Sequence, residues 1–550
     1  MNEMTKTIIV GGVAGGAGAA ARLRRNDESA RIILLEKGEY ISFANCGLPY
    51  YVGKTIKERE KLLLQTPKNF KAQFNVDVRV KNECLSVDTI NKTLTIKDLN
   101  TNKTYTESYD KLILSPGARP TIPNIDGIER AFTLRNIPDA EAINQFVEKQ
   151  KAKTCTIIGG GFIGLEMAEN LVQRGLEVSV IEATPHILGM LDTDMTYDVQ
   201  NYIRSKGIKL FLNSKVVSLD QHKVKLANQQ EIDADIVILS IGVTPETSFL
   251  EGTGIVLGKR GEIIVNEYLE TSQANVYAVG DAISSKSIIT GKNALVPLAS
   301  PANKQARIVA DNVCGMARKY LGTQGTAIIK FFDLTVALTG ENERSLQNNS
   351  IPYLKSITHS PSHAGYYPGS QMMTIKILFS PHNGRLLGAA VCGGKGADKR
   401  IDTLATALRA GMSVMDLQEI EFAYAPPFSS AKDPVNVAGY VAENIKNKTL
   451  QPVYVEELDG LQSNVLLVDV RTVREFEKGS IPRAINIPLQ QLRERLHELD
   501  RTRNIVVICQ IGQRGYNAEQ ILRQKGFRVK NLIGGYRMYQ AYLRDKYESL

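Results

Sequence analysis

The sequence has no tryptophan, only six histidines and only six cysteines in 550 residues. The cysteines stand at 46, 84, 155, 314, 392 and 509, with no CxxC and no metal-ligand pair among them. That spacing excludes a disulfide scaffold and a zinc site. No metal is expected, and any cysteine that matters should act chemically. No stretch reaches the ~18 unbroken apolar residues that a membrane span needs. The apolar run from Ile8 to Ala21 is rich in glycine and alanine, and Arg22, Arg24 and Arg25 follow it at once. A strand running into a helix explains it better than a secretion signal, so the expected location is cytoplasmic, with no membrane partner. Net charge is +9, but the basic residues are dispersed. Without aromatic tryptophan or a basic cluster, the charge suits an anionic, phosphate-bearing small molecule and does not require nucleic acid. The balance of 43% hydrophobic and 23% charged residues is that of a globular chain. At roughly 150 residues each, three or four domains are expected.

What the sequence does have is glycine at the ends of strands. TIIVGGVAGG (7–16) reads as a buried strand, a glycine turn and an alanine-rich helix, and a second strand, Ile32 to Leu35, ends at Glu36. This is the layout of a dinucleotide-binding βαβ unit. Gly11, Gly12, Ala14, Gly15 and Gly16 would let the backbone approach a pyrophosphate at the helix N-terminus, and Glu36 would take the ribose hydroxyls. Val13 stands at the usual middle glycine. The second copy, TIIGGGFIGLE (156–166), is cleaner: Gly159, Gly161, Phe162, Ile163 and Gly164 follow a strand, and the strand Val178 to Ile181 ends at Glu182. A carboxylate there accepts a free 2′-hydroxyl and repels a 2′-phosphate, which favours NADH over NADPH.

Further on, NVYAVGDA (275–282) ends a strand on Gly280 and Asp281, and LSIGVTP (239–245) carries Gly242. Together with the two glycine loops, these resemble the two-dinucleotide flavoprotein reductases, the pyridine nucleotide-disulfide oxidoreductases. The resemblance implies FAD and NADH or NADPH as cofactors, with Asp281 on the FAD ribityl chain and Pro297 and Lys432 near the flavin. It implies a discontinuous FAD domain over 1–115 and 275–325, an NAD(P)H domain over 116–274, and an α+β dimerisation domain over 326–446 in a homodimer.

Electrons leaving a flavin need an acceptor. SFANCGLPYY (42–51) places Cys46 just after the first βαβ unit. Glutathione-reductase-like enzymes carry two cysteines here; Tyr51 stands where the second would be. A lone thiol must cycle through a mixed disulfide or a sulfenic acid, and both need an accessible thiolate. Peroxidase and oxidase relatives carry a histidine in the first glycine loop. This chain has Ala14 there and no histidine before His186. GGVAGG with SFANCGLPYY instead resembles coenzyme A-disulfide reductase and its persulfide-reducing relatives. That resemblance implies coenzyme A as substrate or bound ligand, held by Arg22, Arg25, Ser42, Asn45 and Asn303, with Asn45 and Cys46 beside the flavin. Arg22 and Arg25 lie three apart on one helix face, a spacing that suits phosphate. Phe74 replaces a frequent lysine and Asn303 a frequent histidine, which leaves room for smaller thiols or polysulfide. HAGYYPG (363–369) and EFAYAPPFSSAKDP (421–434) match stretches whose tyrosines, in the family, reach across the dimer to the cysteine. Tyr424 and either Tyr366 or Tyr367 are the candidates, as proton donors to a departing thiolate.

After a linker at 447–455, the composition restarts. VLLVDVR (465–471), EFEKGSIPRAINIPL (475–489) and IVVICQIGQRG (505–515) together resemble a single rhodanese domain, over 456–550. From Cys509 to Arg514 the loop is C-x4-R. Six residues wrap backbone N–H groups around the sulfur, ahead of a helix N-terminus. Related phosphatases have a loop one residue longer, so the short loop argues for sulfur. Gly512 permits the turn, and Arg514 is the expected anion partner.

The whole predicts an α/β chain: two Rossmann-like dinucleotide-binding domains, an α+β dimerisation domain and a C-terminal α/β rhodanese domain. The expected function is NAD(P)H-driven, FAD-dependent reduction of CoA disulfide, CoA persulfide or polysulfide through Cys46, coupled to sulfur transfer at Cys509. Small-molecule thiols, disulfides and persulfides are the partners. Three alternatives stay open at this point: an NADH oxidase or peroxidase with an appended sulfur domain, a sulfurtransferase whose flavin half only maintains its thiol, and a redox-sensing binding module.

Overall fold

The computed structural model describes residues 5–462 and 464–548. Its contacts separate two compact units. One runs to Ala183 and resumes over Asn213–Gly325; the other holds Thr184–Leu212 and the chain from Thr326 onward. Among the described residues, no helix is long and apolar enough to cross a membrane.

The first unit is built on two parallel sheets. In one, Lys6–Val10 lies between Arg31–Glu36 and Lys111–Leu114. Its β-branched residues Ile8 and Ile9 are fully buried, as expected of a strand covered on both faces. Asp77–Val80 extends one edge and Val276–Ala278 the other. The chain therefore leaves this sheet after Leu114 and returns to it at Val276, in parallel register (Val276 opposite Leu112). In the second sheet, Thr154–Ile158 lies between Glu177–Ile181 and Ile236–Leu239, again parallel. Each sheet has a helix directly after its first strand, Ala14–Asn26 and Phe162–Gln173.

The second unit has an antiparallel five-stranded sheet, in the order Ala327–Phe331, Leu334–Gly340, Leu386–Gly393, Met372–Phe379, Leu354–Pro361. Helices Ala397–Arg409 and Pro434–Lys446 pack on it. A parallel sheet follows, in the order Pro452–Val453, Arg528–Leu532, Asn504–Ile508, Leu466–Asp469, Ile485–Asn486. The end of the segment expected as a linker is thus an edge strand: Asn531 N–H donates to the Gln451 carbonyl and Ile533 N–H to that of Val453.

One element sits apart from its sequence neighbours. Helix Thr193–Ser205 falls within the stretch expected as the NAD(P)H domain, yet belongs to the second unit. Long-range ion pairs account for this. Asp192, Asp194 and Glu343 converge on the buried Lys376 ammonium, at 3.0 Å and 2.6 Å for the two aspartates. At the other end of the helix, Asp545 accepts from Gln200 Nε2 (2.8 Å) and Arg204 Nη1 (2.6 Å). A buried ammonium needs such paired carboxylates, and they draw the helix toward residues more than a hundred positions away.

Candidate active sites

The first glycine loop is held from behind. Gly11 has φ +97°, and a Cβ there would lie 1.9 Å from the Ser115 carbonyl oxygen; one at Gly16 would lie 1.8 Å from that of Gly11. Only glycine lets strand, turn and helix pack this closely. Glu36 caps the loop, with Oε2 accepting from Gly12 N–H (2.8 Å) and Oε1 from Gly38 N–H (2.7 Å). The second loop repeats the design. Gly159 has φ +107°, a Cβ at Gly164 would sit 2.1 Å from the Gly159 carbonyl, and Glu182 Oε2 accepts from Gly160 N–H (2.9 Å). Around a Cβ at Gly161 there is nothing within 4 Å, so that face of the turn is open to an approaching pyrophosphate. Neither following helix has an acid in its first turn, which keeps both N-termini positive. These features fit FAD on the first loop and a nicotinamide dinucleotide on the second. Gly280 (φ +84°) donates to Gln305 Oε1 (2.8 Å) and follows Val279, whose side chain would lie 3.0 Å from a Cβ on Gly15 of the first loop, while Pro297, Gly242 (φ +118°) and Ile163 are exposed.

Cys46 is exposed on the 3-10 turn Asn45–Gly47, and helix Leu48–Val52 follows at once. Proline at the start of that helix supplies a pre-set φ. The helix packs on Phe162–Gln173 of the second dinucleotide fold, where a Cβ on Gly53 would meet Asn170 at 1.9 Å. The Cys46 turn is thereby tied to the helix that follows the second glycine loop. Desolvation, then the carboxylates of Glu166 and Asp281, push the Cys46 thiol up; its own backbone N–H offsets this only in part. Burial, reinforced by Glu169, pushes Glu166 itself up to about 7. Burial and Glu166 push Tyr50 up to about 12, with its hydroxyl 3.5 Å from Glu166 Oε1. Burial also raises Asp281, against the pull of Arg135. With its amide turned to donate to the Phe43 carbonyl, Asn45 accepts from Arg135 Nη1 at 3.0 Å. Ser42 adopts φ +44° and donates its N–H to the Gly12 carbonyl (2.9 Å), locking the cysteine segment to the first glycine loop.

The two arginines proposed for phosphate are differently placed. Arg22 Nε is committed to the buried Asp311 (2.8 Å), which Arg22, Asn26 and Arg318 together hold down to about 2 against its burial. Arg25 rests its guanidinium over the Phe74 ring, 5.2 Å from the centroid. The residue that departs from the family pattern is thus the one that supports Arg25. Asn303 bonds back to the Ala299 carbonyl, on a helix that packs against Ala14–Asn26.

In the second unit, the hydroxyls of Tyr366 and Tyr424 meet at 2.9 Å, both exposed, and this contact raises the Tyr366 pKa. Tyr367 turns away, edge-on to His363. Arg400 is the hub beneath them. Buried in helix Ala397–Arg409, it donates to Asp433 (2.8 Å) and Ser429 Oγ (3.1 Å), and Ala364 N–H donates to the Ser429 carbonyl (3.0 Å). Asp433 also caps helix Pro434–Lys446, leaving Lys432 exposed just before it. One buried guanidinium therefore fixes both tyrosine-bearing loops.

Cys509 is fully buried at the end of strand Asn504–Ile508. Its Sγ accepts from Gly512 N–H (3.1 Å); Gly512, φ +101°, precedes helix Gln513–Gln524. Arg514 grips the Glu475 carboxylate with both Nη atoms (2.8 and 2.7 Å). That pairing, helped by Thr472, holds Glu475 at about 2. The buried Arg471 pairs with Asp469 (2.7 Å) and stacks on Tyr536 at 3.9 Å.

Sequence reading missed Glu166, Arg135, Arg400 and Glu475. For Arg400 there was a signal: it lies in register with the apolar stripe Ala397, Ile401, Leu404 and Leu408 of its helix.

Comparison with known proteins follows this division. Residues 5–306 match the pyridine nucleotide-disulphide oxidoreductase family, 326–434 the dimerisation domain of that family, and 454–542 the rhodanese-like domain. The coenzyme A disulfide reductase of Staphylococcus haemolyticus is 38% identical over 443 residues, covering 80% of this chain and 100% of that protein. The crystal structure of reduced Bacillus anthracis CoADR-RHD superposes with a TM-score of 0.97 at 46% identity, over 98% of this chain and 99% of that one. A NAD-dependent persulfide reductase from A. fulgidus gives 0.91 at 36% identity, over 97% and 100%.

Proposed function

Since the chain belongs to the pyridine nucleotide-disulphide oxidoreductase family and carries a rhodanese-like domain behind it, we propose that it reduces CoA disulfide or CoA persulfide with NADH through Cys46 and transfers sulfane sulfur at Cys509. The observation that carries this is the convergence on Cys46: its segment is bonded to the first glycine loop and packed on the helix that follows the second, and Glu166 and Asp281, one from each dinucleotide fold, act on the same thiol. Bound FAD supplies the two-electron relay between nicotinamide and sulfur.

The chain's own residues do the rest. The Cys46 thiolate attacks the disulfide and forms a mixed disulfide with one CoA, and the other leaves as thiolate. With a persulfide, the products are CoA thiol and sulfide, at the expense of one NADH and one proton. Glu166, near neutrality, can hold or give a proton in the physiological range. Arg25, steadied on Phe74, is the better candidate for a CoA phosphate, with Arg22 half-spent on Asp311. Glu182 favours NADH. The Tyr366–Tyr424 pair is exposed beside Phe428, on a domain whose family role is dimerisation. We assign it to the redox cysteine of a second copy in a homodimer, as hydrogen-bond donor to the leaving sulfur.

The test is anaerobic NADH oxidation with CoA persulfide, CoA disulfide and polysulfide offered separately to wild type and Cys46→Ser. Cys46-dependent turnover, fastest with persulfide and releasing sulfide, is the expected result. Absence of Cys46-dependent turnover with all three acceptors would sink the proposal.

A further inference from the structure

The Cys509 loop does not stand on its own domain alone. Its carbonyls point backward into the turn that opens the last helix, Gly535–Glu548. Tyr536 N–H donates to the Cys509 carbonyl (2.8 Å) and Arg537 N–H to that of Gln510 (3.0 Å). Gly534 and Gly535 have φ +73° and +60°. A Cβ on Gly535 would lie 2.3 Å from the Cys509 carbonyl oxygen, so turn and loop are in close backbone contact. Any displacement of the turn must move the loop that presents Gly512 N–H to the sulfur.

Two residues from outside the rhodanese-like domain abut that turn. His359, on strand Leu354–Pro361 of the antiparallel sheet, is buried and shares a hydrogen bond between Nδ1 and Thr374 Oγ1 (2.9 Å). Its Nε2 bonds no side chain and faces Gly534, 3.3 Å from where a Cβ would be. Burial and the nearby Arg537 push this imidazole down to about 3, so it stays neutral against the turn. On the other side, Asp198 of helix Thr193–Ser205 pairs with Arg537 at 3.5 Å. The same helix anchors the far end of Gly535–Glu548, where Asn201 Nδ2 donates to the Ala541 carbonyl (2.9 Å) and Gln200 to Asp545.

We propose that His359 and Asp198 are positioning residues for the Cys509 loop, so that the sulfur-transfer site is kept in order by the antiparallel sheet and by a helix contributed from the reductase half of the sequence. Neither residue touches the reacting sulfur. The inference rests on the assignment of sulfane transfer to Cys509.

The test uses the full-length holoenzyme. His359→Leu and Asp198→Asn should each lower kcat for thiosulfate-to-thiol sulfur transfer about tenfold, with KM for thiosulfate within about twofold. NADH-driven turnover through Cys46 should not change. His359→Gln, which can still bond Thr374, should recover most of the loss. Amide hydrogen exchange should quicken over 509–516 in both variants while strand 354–361 keeps its protection. Unchanged exchange over 509–516 overturns the proposal. So does faster exchange confined to 354–361, or an equal fall in both activities, because His359 would then be only a core residue of its sheet. If wild type itself transfers no sulfane sulfur, the assignment of Cys509 fails, and the exchange pattern still decides whether these residues position its loop.

Discussion

The two cysteines are opposite solutions to presenting a sulfur. Cys46 is exposed on a short turn, and desolvation, then the carboxylates of Glu166 and Asp281, raise its pKa. Cys509 is buried at a strand end, with a backbone N–H on its sulfur and a helix starting beside it. Such a loop carries its own electrostatics in the backbone, whereas the Cys46 turn is shaped to sit among dinucleotide-binding elements and depends on them. The difference predicts that the sites fail separately. Cys46→Ser should reduce NADH-driven disulfide or persulfide reduction below about one-thousandth of wild type and leave sulfane transfer intact; Cys509→Ser should do the reverse. Parallel assays of both activities check this, and loss of both from either change would mean one shared site.

Glycine substitutions sharpen the contrast. At Gly11 an added Cβ would meet a backbone oxygen at 1.9 Å, so Gly11→Ala should cost several kcal/mol, on the order of 3 or more, and yield protein with no bound flavin. At Gly512 the nearest atom to a Cβ is 3.7 Å away, and only the left-handed φ opposes alanine. Gly512→Ala should cost about 1–2 kcal/mol, keep its flavin, and lose sulfane transfer selectively. Flavin absorbance and thermal melts separate the two outcomes.

Much of this division was legible in the sequence because it is local. Strand, glycine turn, helix and closing acid recur at fixed spacing in 7–36 and 156–182, and backbone geometry demands those residue types in place. The Cys509 loop is likewise one contiguous motif. What could not be read depends on distant partners. Helix Thr193–Ser205 joins the second unit through Lys376 and Asp545, and no pattern near residue 200 announces either. Glu166 stood in plain view within the second glycine motif. Its importance appears only when helix Leu48–Val52 is packed against it. The place of Arg514 in the loop suggests an anion partner, and the structure gives both of its Nη atoms to Glu475, 39 residues upstream.

The carboxylates near the two sulfurs also titrate in opposite senses. Glu166 is raised to about 7 from an ordinary value of 4.5. The folded state therefore binds its proton more tightly than the unfolded chain, and stability falls as pH rises from about 4.5 through 7. Glu166→Gln should remove that slope: equal to wild type near pH 4, and more stable at pH 8 by on the order of 2 kcal/mol. Thermal melts across this range test it, and a variant less stable than wild type at pH 8 would show that the charged carboxylate is needed by the fold.

At the other sulfur the sign reverses and the effect is smaller. Glu475 is lowered to about 2, first by Arg514, so its contribution is present above about 4.5 and lost as pH falls toward 2. Both partners are about one-third exposed (31% and 33%), and water screens the pair. Arg514→Lys should therefore destabilise the fold by under about 1 kcal/mol at neutral pH, and the difference from wild type should shrink below about pH 4.5 and vanish only as pH falls through about 2. Lysine cannot reproduce the two-pronged grip, so Glu475 would be released toward the loop beside Cys509. Sulfane transfer from an anionic donor should then fall further than stability does, because a carboxylate no longer neutralised repels that donor. A variant whose transfer rate and stability decline in step would place the Arg514–Glu475 pair in the scaffold alone.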